Sequence, residues 1–162
     1  MRAYNNAVLV AASAPPYALH MAASFDPAEL LASHRSGHIL ALGLRFVASG
    51  EDYCEFAIDY DRRLVSDVNS GILASGPIVS LMDTAAGFAV WAKRGGFKPQ
   101  ATLDLRLDYL RPSRPGQTVT GRAECYRLTR RIAFVRGLAH DGDPNDPVAH
   151  LTATYMILGE GK

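Results

Sequence analysis

The segment GILASGPIVSLMDTAAG (residues 71–87) decides the fold of this chain. From Pro77 onward its apolar residues recur at spacings of three and four, which predicts an amphipathic helix reaching about Lys93. Gly76 is predicted to cap this helix and Pro77 to be its first residue, because the fixed φ of proline suits a first turn. The pair Gly95-Gly96 is predicted to end it.

A single carboxylate stands inside this apolar helix. Between Arg63 and Lys93 the only charged residues are Asp67 and Asp83. Burying a lone carboxylate is costly, so a fold keeps one there with partners or for a purpose. Asp83 could be functional, could face water on an amphipathic helix, or could accept hydrogen bonds from a neighbouring loop. The first helical turn offers unpaired N–H groups, and a glycine there lets a ligand approach a backbone suited to stabilising an oxyanion.

The flanking sequence predicts an α+β domain rather than a doubly wound parallel sheet. Asp26 and Pro27 predict the start of a short helix, and residues 61–73 read as a loop. After the long helix, apolar residues at 103, 105, 107 and 109 alternate with polar ones, a period of two. One helix cannot cover both faces of such a sheet or protect its edges, so a homodimer or a homotetramer is expected. The predicted strands are residues 38–48, 53–60, 102–109, 118–128, 132–140 and 148–158.

Composition excludes several functional classes. The chain of 162 residues has a formal net charge of +1, so neither nucleic acid nor an anionic membrane surface is an expected partner. No apolar run approaches the roughly 20 residues that span a bilayer. Cys54 and Cys125 stand far apart and the five histidines show no ligand spacing, which favours buried thiols in a reducing cytoplasm and no metal. Residues 1–25 are interpreted as a flexible extension, with Met21 an alternative start, rather than as a signal peptide. The domain is placed at residues 26–162.

The quoted segment resembles the motif of hotdog-fold acyl-CoA thioesterases of the phenylacetate-degradation type. There a Gly-x-x-His-Gly-Gly turn precedes a helix reading Leu-x-Asp-x-Ala-x-Gly. Gly71 and Gly76 match the first and last glycines of the turn, and the resemblance covers about residues 60–158. The helix positions that match are Leu81, Asp83, Ala85 and Gly87; the resemblance continues through residues 101–112, Gly116, and residues 130–135 and 149–156.

The resemblance implies a hotdog fold, an antiparallel sheet of about six strands wrapped around one long helix. It also implies an enzyme that hydrolyses an acyl-CoA thioester at a dimer interface, with coenzyme A as part of the substrate and no further cofactor. Asp83 would act as general base or nucleophile. The backbone N–H of Gly76 would polarise the carbonyl. Thr102 would supply a hydroxyl across the interface, although threonine is also a common strand residue.

The chain departs from the motif where the family places polar groups. The motif histidine aligns with Ala74 and the next glycine with Ser75, while a preceding asparagine aligns with Val68, one place from Asn69. The resulting alternative is a non-catalytic acyl-CoA or fatty-ligand binding module, although the presence of Asp83 favours hydrolysis. A dehydratase is disfavoured because residues 71–87 contain no histidine. The predicted substrate-binding residues are Ser75, Asn69 and Leu81 near the helix, and Arg111, Arg130 and Arg131 for the phosphates of coenzyme A.

Overall fold

One long helix lies against one face of a six-stranded antiparallel sheet. The computed structural model describes residues 27–33 and 37–158, so the proposed extension and the predicted cap Asp26 lie outside the described residues. In chain order the elements are α1 (Pro27–Ser33), α2 (His38–Ala41), β1 (Leu44–Ser49), β2 (Tyr53–Ile58), α3 (Ser75–Arg94), β3 (Gln100–Tyr109), β4 (Val119–Leu128), β5 (Ile132–His140) and β6 (Ala149–Ile157).

The sheet has the order β1-β2-β4-β5-β6-β3, and every neighbouring pair is antiparallel. Helix α3 crosses the middle strands, and β1 and β3 form the two edges. The predicted α+β class, with one central helix and about six strands, is confirmed. The last three predicted strands lie within one residue of β4, β5 and β6.

Helix α3 buries the apolar stripe that its sequence predicts. Its buried side chains are Ile78, Leu81, Met82, Ala85, Ala86, Phe88, Ala89 and Val90. The helix can approach the sheet closely because β4 presents Gly121, where an added Cβ would lie 2.7 Å from Met82 Sδ. Burial of this stripe against the sheet is the main source of stability for such a helix.

The helix ends where predicted but begins earlier. Gly95 adopts a left-handed φ of 66° and its N–H bonds Ala92 O, which confirms the C-terminal prediction. The predicted start was wrong, since Ala74 is the N-cap and Ser75 the first helical residue. Proline is tolerated at Pro77 because the first four N–H groups of a helix need no intrahelical partner. Gly76 therefore lies inside the first turn.

The predicted strand over residues 38–48 was also wrong in its first half. Residues 38–41 form α2, and β1 begins only at Leu44. Gly37 and Gly43 have φ values of 117° and 66°, so the chain turns sharply on both sides of this apolar run. A short apolar run cannot be assigned to helix or strand by periodicity alone. The predicted loop over 61–73 also contains a 3-10 turn, Arg62–Leu64, and a bridge between Val65 and Leu73.

Strand β3 does not keep one alternation along its length. Thr102 pairs with Tyr155 and Asp104 pairs with Thr154, so the register shifts at Leu103, which bulges out of the ladder. Before the bulge, even-numbered residues face the helix; after it, Leu105 and the following odd-numbered residues do. The predicted single period of two was therefore wrong across the bulge. Its consequence is that Thr102 and Leu105 face the same side.

Both cysteine side chains lie in the core, as predicted. Burial, with a smaller contribution from Glu55, raises the pKa of Cys54 to about 12. Burial likewise raises the pKa of Cys125. Among the described residues, no helix is long and apolar enough to cross a membrane.

Candidate active site

Asp83 is held by two strands of the sheet. Its side chain is half-buried on α3, where Thr102 Oγ1 donates to Oδ1 at 3.1 Å and the Tyr155 hydroxyl donates to the same oxygen at 2.8 Å. Thr102 lies on β3 and Tyr155 on β6, and the two are cross-strand partners. The carboxylate is thus neither free in water nor bound by a loop.

The Tyr155 hydroxyl is a permanent donor to this carboxylate. The residue is only 3% exposed, and its hydroxyl also lies 3.1 Å from the main-chain oxygen of Asp83. Burial, followed by the negative charge of Asp83, raises the pKa of Tyr155 well above its ordinary value of 10.0. The phenol is therefore protonated at neutral pH.

Asp83 belongs to an outer stripe of α3, formed by Gly76, Ser80, Asp83 and Gly87, which lies on the side away from the buried residues. The stripe begins in the first turn of the helix, where Gly76 is exposed and an added Cβ would meet nothing within 4 Å. Ala74 makes no side-chain capping bond, and Tyr109 donates to the carbonyl oxygen of Ser75 at 2.9 Å. Among the described residues, nothing accepts a hydrogen bond from the N–H groups of Ser75 and Gly76. Both donors are therefore unpaired within the part of the chain that the structure describes.

Within one chain, the Gly76 N–H and the Asp83 carboxylate lie apart. Asp83 comes seven positions after Gly76, which is roughly 10 Å along a helix axis. A thioester carbonyl touching the Gly76 N–H would therefore lie out of reach of Asp83 in the same chain.

Arg130 and Arg131 line a basic cavity near the C-terminal end of α3. This cavity has a volume of about 540 Å³, and its other charged lining residues are Arg94 and Lys98, with no acid among them. Among the described residues, Arg94 Nη1 has no hydrogen-bond partner although it is buried, and burial lowers the pKa of this guanidinium. Within the part of the chain that the structure describes, no acid lines the cavity, so its four cations attract anions strongly.

Arg111 lies elsewhere, on the β3–β4 connection, where it forms ion pairs with acids of the β5–β6 connection. Its guanidinium donates to both oxygens of Asp141, at 2.8 and 2.6 Å, and to Asp146 at 3.0 Å. The Asp141 side chain is fully buried, and the bonds from Arg111, followed by the main-chain N–H of Arg114, hold its pKa at about 2. Arg111 comes two residues after Tyr109, which contacts the start of α3. The basic cavity lies at the other end of α3.

The structure also separates two other predicted residues from Asp83. Leu81 is 0% exposed and faces the sheet, and Asn69 lies in an exposed turn where it bonds Asp67. Like Leu81, three further apolar residues of α3 are buried against the sheet: Ile78, Met82 and Phe88.

Sequence reasoning missed Tyr155 and His38. Alternation along β6, where Leu151, Ala153 and Tyr155 are buried, could have placed the ring on the helix side, but not beside Asp83. His38 lies outside the motif in sequence, yet its Nε2 is 2.9 Å from Ser80 Oγ on the outer stripe. No sequence signal connects α2 with that stripe.

A carboxylate on the central helix of an antiparallel sheet, near a helix start with unpaired amides among the described residues, is the arrangement expected from the resemblance to hotdog-fold thioesterases. A model of the thioesterase superfamily matches residues 70–148. A medium/long-chain acyl-CoA thioesterase, YigI, from Salmonella typhimurium is 30% identical over 130 residues, covering 72% of this chain and 83% of the relative.

Solved structures agree with this family. A crystal structure of a Pseudomonas aeruginosa protein is 35% identical, with a TM-score of 0.72, covering 81% of this chain and 96% of that one. A variant of the phenylacetic acid degradation protein PaaI from Thermus thermophilus is 29% identical, with a TM-score of 0.64, covering 74% and 97%. The chain belongs to the thioesterase superfamily. The predicted resemblance is confirmed, and with it the prediction of a thioester-hydrolysing enzyme.

Proposed function

We propose that this protein hydrolyses acyl-CoA thioesters to a free acid and coenzyme A, with Asp83 as the catalytic carboxylate. The observation that carries the proposal is the pair of hydroxyls that fix one oxygen of Asp83 and leave the other unbonded among the described residues. A medium- or long-chain acyl group is inferred from the name of the YigI relatives.

A second copy of the chain supports this chemistry by completing the site. Thr102 ties the start of β3 to Asp83, and Tyr109 ties its end to Ser75 at the start of α3. Antiparallel pairing of two β3 edges about a two-fold axis places the start of one strand beside the end of the other. Asp83 of one chain would then face the open Gly76 N–H of its partner, removing the gap of roughly 10 Å within one chain.

The free edge of β3 is suited to such pairing. It is ten residues long, and Leu103 and Tyr109 are 51% and 43% exposed. An edge of that length left unpaired invites association. Leu103→Asp is expected to shift the protein from dimer to monomer in sedimentation velocity and to lower hydrolysis in parallel. If Leu103→Asp forms a dimer as stable as that of the wild type, pairing through β3 is contradicted. The expected alternative, a homotetramer, could form from two such dimers.

Two reaction routes fit the site. As a general base, Asp83 accepts a proton from water, and the hydroxide formed attacks the thioester carbon. The Gly76 N–H stabilises the oxyanion, the C–S bond breaks, and the thiolate takes up a proton. As a nucleophile, Asp83 forms a mixed anhydride and expels the thiolate, and water then cleaves the anhydride. Both routes give the acid and coenzyme A.

We further propose that the basic cavity binds the phosphates of coenzyme A. Arg130 and Arg131 supply forked donors suited to phosphate, and Arg94 and Lys98 add charge. Lys98 lies two residues before β3, whose start leads to Thr102 and Asp83, so the pantetheine arm has a path along it. Eleven residues separate Asp83 from Arg94, roughly 16 Å along the helix. Arg111 is not included, because Asp141 and Asp146 already occupy its donors.

The cavity assignment makes a kinetic prediction. Arg131→Gln is expected to raise KM for an acyl-CoA about tenfold with kcat little changed, and to weaken the dependence of KM on salt. The control Arg62→Gln removes a cation in the 3-10 turn, away from the cavity. An equal KM effect in both variants would contradict the assignment.

A panel of acyl-CoA substrates, followed by thiol release, tests the proposed reaction. Asp83→Asn is expected to lower kcat by about 100-fold or more, because it removes the base or nucleophile. The matched control Asp143→Asn changes an exposed acid that bonds only within its own turn, and it should keep wild-type turnover. Full activity in Asp83→Asn would refute the proposal.

The alternative is a non-catalytic acyl-CoA binding module. It is favoured by Ala74, which occupies the motif histidine position and makes no capping bond at the start of α3. Calorimetry separates the two, since tight binding of acyl-CoA without thiol release supports the module. Ser75 would supply its main-chain N–H in either function.

A further inference from the structure

We propose that Tyr155 is a positioning residue that, together with Thr102, holds one oxygen of Asp83 so that the other oxygen, Oδ2, is the reacting atom. This inference rests on the proposed thioester hydrolysis. It adds a role for a residue outside the segment 71–87, and it specifies which carboxylate oxygen of Asp83 takes part in the reaction.

The two donors converge on one atom. Both Tyr155 and Thr102 donate to Oδ1, at 2.8 and 3.1 Å, whereas Oδ2 accepts no hydrogen bond from any described residue. A carboxylate oxygen with two donors has its lone pairs engaged and its charge partly neutralised. The unbonded oxygen is therefore the better base or nucleophile.

The two donors differ in what else they can touch. Thr102 is exposed on the edge strand, so a substrate or a second chain can reach its hydroxyl. Tyr155 is buried on β6, inside the sheet, and its Cε1 would lie 3.9 Å from a Cβ added at Gly87. The ring is thus packed beneath α3, and it acts on the reaction only through Asp83.

Tyr155 also fixes the direction of the carboxylate. Its hydroxyl lies 2.8 Å from Oδ1 and 3.1 Å from the main-chain oxygen of the same residue, so it contacts both the carboxylate and the main chain of Asp83. Without this contact, Thr102 would be the remaining described donor that restrains rotation of the carboxylate. Small displacements of a reacting group cost large factors in rate, because alignment contributes much of catalysis.

Tyr155→Phe removes only the hydroxyl and tests the role. We expect kcat to fall about tenfold or more with KM unchanged, the pattern of an interaction needed in the transition state. The matched control is Tyr126→Phe on β4, whose 46% exposed ring contacts Arg136, away from Asp83. Tyr126→Phe should have the kcat and KM of the wild type.

An independent readout follows the carboxylate itself. In protein labelled with ¹³C-aspartate, with the Asp83 resonance assigned by Asp83→Asn, the Cγ chemical shift should change in Tyr155→Phe, because a hydrogen bond to Oδ1 is lost, and should not change in Tyr126→Phe. Thr102→Val removes the other donor and should also change this shift, and it carries the test if Tyr155→Phe does not fold.

The outcomes separate the two proposals. If Tyr155→Phe changes the Asp83 Cγ shift but the wild-type protein hydrolyses no acyl-CoA, the proposed function is overturned and the positioning contact stays intact. If the wild type is active and Tyr155→Phe equals Tyr126→Phe in kcat, KM and Cγ shift, the positioning role alone is overturned.

Discussion

Asp141→Asn should lower the folding stability of this protein without changing its catalytic activity. The substitution keeps the shape of the side chain and removes the charge that accepts hydrogen bonds from Arg111 and from the main-chain N–H of Arg114. The Asp141 side chain is 0% exposed, so water cannot replace these partners. The cluster also anchors the segment after β3, whose last residue, Tyr109, contacts the start of α3.

The size of the effect follows from the pKa of Asp141. Its native pKa is about 2, against an ordinary value of 3.8. At 1.36 kcal/mol for each pH unit, this difference corresponds to about 2 kcal/mol of native stability. Removing one partner of a buried ion pair often costs more, but Arg111 keeps Asp146 as a partner. We therefore expect a loss of about 2 kcal/mol at pH 7.

The pH dependence has a definite sign. Because the native pKa is depressed, the contribution of Asp141 is fully present above its unfolded value of 3.8 and disappears as the pH falls towards about 2. Urea unfolding between pH 7 and pH 3 should show a gap between wild type and Asp141→Asn that narrows below about pH 4. The control Asp143→Asn, in the same connection but exposed, should show no such gap. A gap below about 0.5 kcal/mol at pH 7, or one that is constant with pH, would refute the reasoning.

Two further predictions concern the core. Gly137→Ala should lower the unfolding free energy by at least about 2 kcal/mol, because its Cβ would lie 2.5 Å from the main-chain oxygen of Arg122. The control Gly96→Ala has open space around the added Cβ and should not lower the unfolding free energy. Equal urea midpoints for the two variants would contradict this prediction. Cys54 and Cys125 should not react with a thiol reagent at pH 8 in the native protein and should both react in urea, since burial raises both thiol pKa values; native labelling at the unfolded rate would contradict their burial.

The parts of the fold that sequence predicts are those governed by local periodicity. Spacings of three and four residues predict α3, and Gly95 predicts its end, because both signals are contained within a few residues. The helix start was misplaced because Pro77 is compatible with any position in the first turn. The apolar run at 38–41 was misassigned because four residues carry too little periodicity to separate helix from strand.

For the candidate site, the sequence predicts the carboxylate but not the residues that bond to it. Asp83 stands out in sequence because its neighbours are apolar, but its partners come from strands 19 and 72 residues away. The bulge at Leu103 depends on the pairing of β3 with β6, so no pattern within β3 reveals that Thr102 turns towards the helix. Arg111, Arg130 and Arg131 looked equivalent in sequence, and only tertiary structure separates an arginine held by Asp141 and Asp146 from two that line a cavity.

The bulge explains how one edge strand can serve both the site and an interface. Had β3 kept a single alternation, a register that buries Leu105 would turn Thr102 away from α3, and Asp83 would lose one of its two donors. Inserting Leu103 lets the strand bury its apolar residues and still direct a hydroxyl at the carboxylate. The bulged residue lies at the exposed edge, where the proposed second copy would pair. Association and orientation of Asp83 therefore depend on the same short segment, so changes at Leu103 should affect both.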